Sequence, residues 1–356
     1  MPLLTTVLLA AAVVAGAIFA AFGVVRTFER RARRLAHAAA LELTRRIEAF
    51  LAGGVEARAL RHAVARADTG VFWSVLESIP LAPRRRRWEP LSLALAGCAH
   101  TRRERRALRD DSPWRRELAA RRLALIAEPA SRRALRAALE RGPEIVTLAA
   151  AVTLGRYRDA QTLRWLLAHP ESLARRAPRA RVAVLRAYGR GALPVLAEAL
   201  ERGRGDAALE RALVETLGLG RHAPATVVIE RRLASSEAEV RVAVARALGH
   251  LRAGDSARAL IAALEDEAWP VRAVAAWALG RIGTVTTSGA APGIGALAVR
   301  LTDRAWWVRR HAAYALREMG EPGRAALRQA ADRSPDPYAR DIAREALGSG
   351  EGLGAA

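Results

Sequence analysis

Residues 271–283 read VRAVAAWALGRIG, and the phrase returns as VRRHAAYALREMG at 308–320 and VRVAVARALGHL at 240–251. A weaker copy, YARDIAREALG, occupies 338–348. Each carries an arginine near its start and a leucine seven positions later: Arg241/Leu248, Arg272/Leu279, Arg309/Leu316 and Arg340/Leu347. Seven residues are close to two helical turns, so each pair shares one helix face. Upstream, Glu210/Leu217, Arg181/Tyr188, Thr147/Leu154 and Arg116/Leu123 fall into the same frame. From 116 to 340 successive anchors stand 31, 34, 29, 31, 31, 37 and 31 residues apart. A sustained period of this length marks a repeat array.

Between anchors lies a second apolar stretch: LPVLAEALE at 193–201, TVVIERRLA at 226–234, ARALIAALED at 257–266 and IGALAVRLTD at 294–303. Their apolar residues recur at helical spacing. Gly249, Gly280, Gly283 and Gly320 stand where each first helix is expected to end, in positions that suit a left-handed cap. Two antiparallel helices of this size cannot close a core alone, so neighbouring units must stack.

These units resemble HEAT repeats of the short bacterial, phycobilisome-lyase-like type. The shared pattern is an apolar residue, arginine, small residues, Ala-Leu-Gly, and a second helix ending near aspartate. Residues 240–348 match well, and 110–235 match with decay. The resemblance implies an all-α, right-handed α-α superhelix of HEAT/armadillo type over residues 110–350. It also implies a structural role for the repeated arginine, tying one repeat to the next through an acid or a carbonyl. Family members mostly act as binding scaffolds; a few attach bilin chromophores or act on DNA. Residues 55–109 are helical and apolar but out of register, and read as a degenerate N-terminal cap.

Composition agrees with an all-helical chain. Of 356 residues, 51% are apolar and only 5% aromatic, which favours helix over strand. There is no lysine, so all 58 basic residues are arginine, and against 36 acids they leave a net charge of +22. One cysteine, Cys98, excludes a disulfide scaffold.

Leu3–Val25 holds 23 residues without a charge, long enough for a transmembrane helix. The basic cluster Arg26, Arg30, Arg31, Arg33 and Arg34 follows it rather than precedes it, which argues for an uncleaved anchor over a signal peptide. The expectation is a single-pass plasma (inner) membrane protein, its short N-terminus outside and its solenoid in the cytoplasm. Residues 26–54 then form a basic amphipathic helix whose stripe is Phe28, Leu35, Ala39, Leu43, Ile47 and Phe50. That stripe can lie on anionic headgroups or pack on the first repeats.

No motif of catalysis stands out. The seven histidines share no metal-ligand spacing, and neither GxSxG, HExxH nor a P-loop occurs. No catalytic residue, metal or cofactor is expected. The rare aromatics carry more information. Trp269 and Trp306 stand three before the repeat arginine, Trp277 and Tyr314 five after it, and Trp307 follows Trp306. Stacking aligns equivalent positions, so these form two short rows, either sealing seams between repeats or presented to a partner. The polar insertion at 284–293, with Thr284, Thr286 and Thr287, accounts for the long spacing of 37 and projects from the same repeats.

Charge falls along the chain. Residues 26–125 carry 23 arginines against 11 acids, 126–235 carry 19 against 11, and 236–356 carry 16 against 14. With the run Arg84, Arg85, Arg86 and Arg87, the basic proximal half suits anionic membrane lipid, and the distal repeats suit a protein partner, an integral membrane enzyme being one candidate. Nucleic-acid binding is the alternative, disfavoured by this gradient, and a bilin-lyase-like enzyme is the second alternative.

Overall fold

Helices make up every regular element among the described residues, and no strand occurs there. The computed structural model describes residues 2–79, 85–141, 143–171, 177–203, 206–283 and 293–348; for helix positions 2–18, 20, 21, 23, 85–87, 141 and 144 it describes the backbone alone. The chain divides into two compact units, Met1–Thr153 and Leu154–Ala356.

The first unit begins with one long helix, α1 (Pro2–Leu51), followed by α2 (Ala57–Arg66), α3 (Thr69–Ser78), α4 (Arg85–Leu95), α5 (Ala99–Ala107), α6 (Pro113–Leu123) and α7 (Pro129–Arg141). The last helix, α8 (Glu144–Arg156), reaches the unit boundary. Its core joins Leu43 and Ile47 of α1 to Leu60, Val64, Phe72, Trp73, Leu76, Leu91, Leu95 and Ile126. Of the amphipathic stripe, the C-terminal half therefore packs on the following helices, whereas Phe28 and Leu35 stay exposed. His100 is locked into this core. It stacks on Phe72 at 4.4 Å and its ring nitrogens meet Val64 O at 3.0 Å and Thr69 Oγ1 at 3.3 Å. Asp68 caps α3, accepting from the Gly70 and Val71 amides, an arrangement typical of the residue before a first turn.

The membrane expectation needs correction. Among the described residues no helix is long and apolar enough to cross a membrane. The apolar stretch Leu3–Val25, most of whose side chains lie outside the described residues, does not form a helix of its own. Its backbone runs unbroken into the arginine-rich segment and on to Leu51, within a single 50-residue helix whose far end is buried among α2, α3 and α4. The inner-membrane localisation drawn from that stretch is not supported.

In the second unit, α9 (Ala160–Ala168) is followed by two rows of helices. One row holds α10 (Pro178–Ala187), α12 (Ala207–Leu219), α14 (Ala238–Leu251), α16 (Trp269–Gly283), α18 (Trp306–Glu318) and α20 (Pro337–Gly348), each packed on the next. The second row holds α11 (Leu193–Arg202), α13 (Thr226–Glu230), α15 (Ala257–Ala263), α17 (Ile294–Val299) and α19 (Glu321–Arg333). Short 3-10 turns extend α13 over Arg231–Ala234 and α17 over Arg300–Thr302. The repeats read from the anchor arginines are thus helix pairs. Helices α14 and α16 are apolar on nearly every side because each is covered by two row neighbours and by the second-row helix that precedes it in the chain.

The glycine reading is revised by the same packing. Gly249 and Gly280 lie inside α14 and α16 rather than at their caps. A Cβ on Gly249 would stand 2.6 Å from Trp277 Cζ3, and one on Gly280 would stand 2.8 Å from the Ala315 Cα. Absence of a side chain lets neighbouring helices touch backbone to backbone. The left-handed turn after α14 falls instead to Arg252, at φ 51°. Gly320, at φ +76°, does serve as a turn between α18 and α19.

Candidate functional site

The repeat arginines form a ladder inside the second unit. Arg272 donates from Nε to Asp303 Oδ2 at 2.8 Å and from Nη2 to Asp303 Oδ1 at 2.9 Å. Its Nη1 donates to the carbonyls of Asp266 and Glu267. Arg241 repeats the pattern one unit earlier, gripping Asp266 and the Ser235 and Ser236 carbonyls. Asp266 and Asp303 stand six residues before the next arginine, and at that position the following repeat has Ser334. Arg309 accordingly lacks the fork: it keeps the carbonyl bond to Asp303 and lies over the Tyr338 ring, 5.1 Å from its centroid. These guanidinium groups join repeats and are buried or spent on neighbours, so they do not present a ligand row.

The aromatic positions differ in exposure. Trp277 is a seam residue, half-buried against Gly249 and edge-on to His250 at 5.3 Å. Burial, then the charges of Arg246, Arg281 and Arg221, push the His250 ring below the usual histidine range. Trp269, Trp306 and Trp307 are 46%, 45% and 50% exposed, which for indoles in a well-packed array leaves apolar surface uncovered. On α18 the ring of Trp306 meets Trp307 edge-on at 4.6 Å. Arg310 lies over both Trp306, at 5.3 Å, and Tyr314, at 4.9 Å, while Arg317 lies over Tyr314 at 4.6 Å. Tyr314 donates its hydroxyl to Glu345 Oε1 at 3.0 Å, and Arg310 pairs with the same carboxylate at 3.2 Å. The result is a connected ridge of indole, guanidinium and phenol spanning α18 and α20. Beneath it, burial followed by the Arg310 charge lowers the affinity of His311 for its proton.

Of the other expected site residues, the described ones lie outside this ridge. Thr284, Thr286 and Thr287 lie outside the described residues, as does Arg84. Arg85, Arg86 and Arg87 open α4, with only their backbone described. Arg26, Arg30, Arg31, Arg33 and Arg34 line the exposed surface of α1, where Arg33 pairs with Glu29 at 3.2 Å and Arg26 covers Phe22. Among the described residues no group of three His, Cys, Asp or Glu side chains is placed to hold a metal ion.

One feature escaped the sequence reading. In the first unit, α5, α6, α7 and α8 surround a cleft of about 790 Å³ lined by Arg102, Arg105, Arg106, Arg109, Arg116 and Arg133 over a floor of alanines with Leu108 and Val146. Its signal was present: 102, 105, 106 and 109 follow the i, i+3, i+4, i+7 spacing of a single helix face. In a chain with 58 arginines such a stripe does not announce itself.

Comparison with known proteins bears on the fold. No curated protein matches the sequence. Kap95p, in a structure with RanGDP, shares 12% identity at a TM-score of 0.51, over 80% of this chain and 43% of Kap95p. Human deoxyhypusine hydroxylase shares 18% identity over 81% of this chain and 98% of its own, at a TM-score of 0.32. The complex of CpcE and CpcF of phycocyanin lyase from Nostoc sp. PCC7120 shares 20% over 70% and 88%, at 0.31. The first of these shows the fold alone, and the other two carry no argument. The family model for HEAT repeats matches residues 225–293 and 260–348, within an all-α helical solenoid. The stretch from 225 to 348 is a run of HEAT repeats.

Proposed function

We propose that the chain is a non-enzymatic scaffold that holds a protein partner on the ridge of α18 and α20 together with the exposed Trp269 of the neighbouring α16. The observation that carries this reading is the exposure of Trp269, Trp306 and Trp307 on consecutive repeats, with Arg310 and Arg317 laid over the adjoining rings. Tryptophan, tyrosine and arginine are the residues most enriched where binding energy concentrates. The indoles supply apolar anchors and the arginines suit carboxylates, so the partner presents an apolar segment edged by acids. A stacked array of helix pairs offers a long rigid surface for such a segment. Kap95p, of similar fold, is described as acting on RanGDP through binding.

The test compares the full chain with a Trp306→Ala/Trp307→Ala variant. A protein recovered with the wild-type chain is purified and its affinity measured for both. Loss of about tenfold or more is expected. Trp114→Ala, which removes an exposed tryptophan of the first unit, leaves affinity unchanged. Equal affinity for wild type and the double variant, with helicity intact, overturns the proposal.

A further inference from the structure

The arginine-lined cleft of the first unit is separate from the aromatic ridge and needs its own account. Three of its cations come from α5: Arg102, Arg105 and Arg106. Arg109 follows in the turn, Arg116 comes from the first turns of α6, and Arg133 from α7. Among the described residues no carboxylate lines the cleft. Two of the six arginines are tied at its edge, Arg102 to the Gly97 carbonyl and Arg105 to Glu128, which is itself held by the Gly97 amide and the Ser131 hydroxyl. Among the described residues, Arg106, Arg109, Arg116 and Arg133 have no ion pair, and the buried Arg116 Nε has no hydrogen-bond acceptor.

Four guanidinium groups without a described ion pair line one concavity. Burial, and then the charges of Arg102, Arg106 and Arg133, ease the proton off Arg105 despite the opposing influence of Cys98. The two buried arginines among the described residues, Arg241 and Arg272, are each matched with an acid. In the cleft Arg106, Arg109 and Arg133 are exposed and Arg116 is half-buried, and no described acid is set against them around one open concavity. About 790 Å³ is the size of a small-molecule site. Guanidinium forks match phosphate oxygens two at a time, so several converging forks favour a ligand with several phosphates over a single one. The lining holds no aromatic ring on which a nucleobase could stack, and its floor is alanine. Recognition therefore rests on the phosphate chain. A single-strand nucleic-acid site pairs its basic surface with aromatic platforms for the bases, and the described lining offers none.

We infer that this cleft binds a small polyphosphate, a compact anion with two or more linked phosphate groups, through Arg106, Arg109, Arg116 and Arg133. The source is either a free inorganic polyphosphate or the phosphate chain of a nucleotide.

Calorimetric titration of the full chain at about 0.15 M ionic strength tests this. The probes are inorganic tripolyphosphate, orthophosphate, ATP and a short single-stranded DNA. Tripolyphosphate is expected to bind one per chain and at least about tenfold more tightly than orthophosphate. Arg116→Gln/Arg133→Gln and, separately, Arg106→Gln/Arg109→Gln each weaken it about tenfold or more, while Arg324→Gln on α19 does not. The second double variant alters exposed side chains, so it reports binding even if the first impairs folding. ATP binding as tightly as tripolyphosphate assigns the source to nucleotides as well as free chains, and weaker ATP binding assigns it to free chains. Both outcomes support the inference. Unchanged affinity in the two double variants overturns it, as does DNA binding more tightly than tripolyphosphate at equal phosphate concentration.

Discussion

Arg272 of α16 closes a two-point fork on Asp303, just past α17, with Nε–Oδ2 at 2.8 Å and Nη2–Oδ1 at 2.9 Å, and both side chains are nearly inaccessible to water. A buried pair of this kind is costly to break from one side, because the remaining charge has no solvent to turn to. Asp303→Ala should therefore destabilise the repeats around α16 and α18 by about 3–5 kcal/mol. Tyr338→Ala, which removes only the ring under Arg309, should cost about 0.5–1 kcal/mol, as befits an exposed cation–π contact. Amide exchange across α16 and α18 reads both, and is preferred to a single melt because repeat arrays need not unfold in one step.

The same forks set an acid limit. Burial raises the Asp303 carboxyl, but hydrogen bonds from Arg272 and the Ala305 amide, with the charges of Arg272 and Arg300, outweigh it and hold the group below its ordinary 3.8. Asp266 is held low in the same way by Arg241, the Ala268 amide and Arg272, again against the effect of burial. A carboxylate with a depressed folded value contributes stability that is fully present above its unfolded value and lost as pH falls through the folded one. Stability of the second unit should thus decline modestly as pH falls below about 7, where the depressed His250 and His311 favour the unfolded chain, and fall more steeply below about 4 as the forks are lost. Asp303→Asn should be less stable at neutral pH and show a shallower acid decline in urea titrations at successive pH values.

Glycine substitution should have opposite signs at two helical positions. Gly280→Ala forces a Cβ to 2.8 Å from the backbone of α18, and over-packing of this kind costs about 1–3 kcal/mol. At Gly295, in α17, an added methyl would meet nothing within 4 Å, so Gly295→Ala should gain about 0.5–1 kcal/mol from helix propensity alone. Thermal denaturation of the two single variants decides the matter. A stabilised Gly280→Ala would show that the helices can part without cost.

Trp306→Ala and Trp307→Ala should leave stability within about 1 kcal/mol of wild type, since half-exposed side chains hold little of the core together. Trp277→Ala should cost about 2 kcal/mol or more, because its ring fills the seam over Gly249. Urea midpoints for the three variants test the division between ridge and seam.

Much of the second unit could be read in one dimension. The anchor positions Arg181, Glu210, Arg241, Arg272, Arg309 and Arg340 fall one in each first-row helix, and the apolar stretches at 193–201, 226–234, 257–266 and 294–303 coincide with the second-row helices other than α19. Periodicity survives in the sequence because each repeat solves the same packing problem with the same residues. Other matters depend on which element lies next to which. Whether Gly249 caps a helix or admits a neighbour is decided by Trp277 and Ala278, 28 and 29 residues further along. Trp277 and Trp306 look alike as rare aromatics, yet one faces a glycine across a seam and the other faces solvent.

The arginines show the same division. Their number, their net charge of +22 and their decline toward the C-terminus belong to the sequence alone. Which of them are neutralised does not. Arg272 and Arg116 occupy the same position in the repeat frame, and only the fold supplies Asp303 to the first while turning the second, unpartnered at Nε, into a cleft with five other cations. Charge is a property of residues, but its free energy depends on distance and burial, and both are set by the tertiary structure.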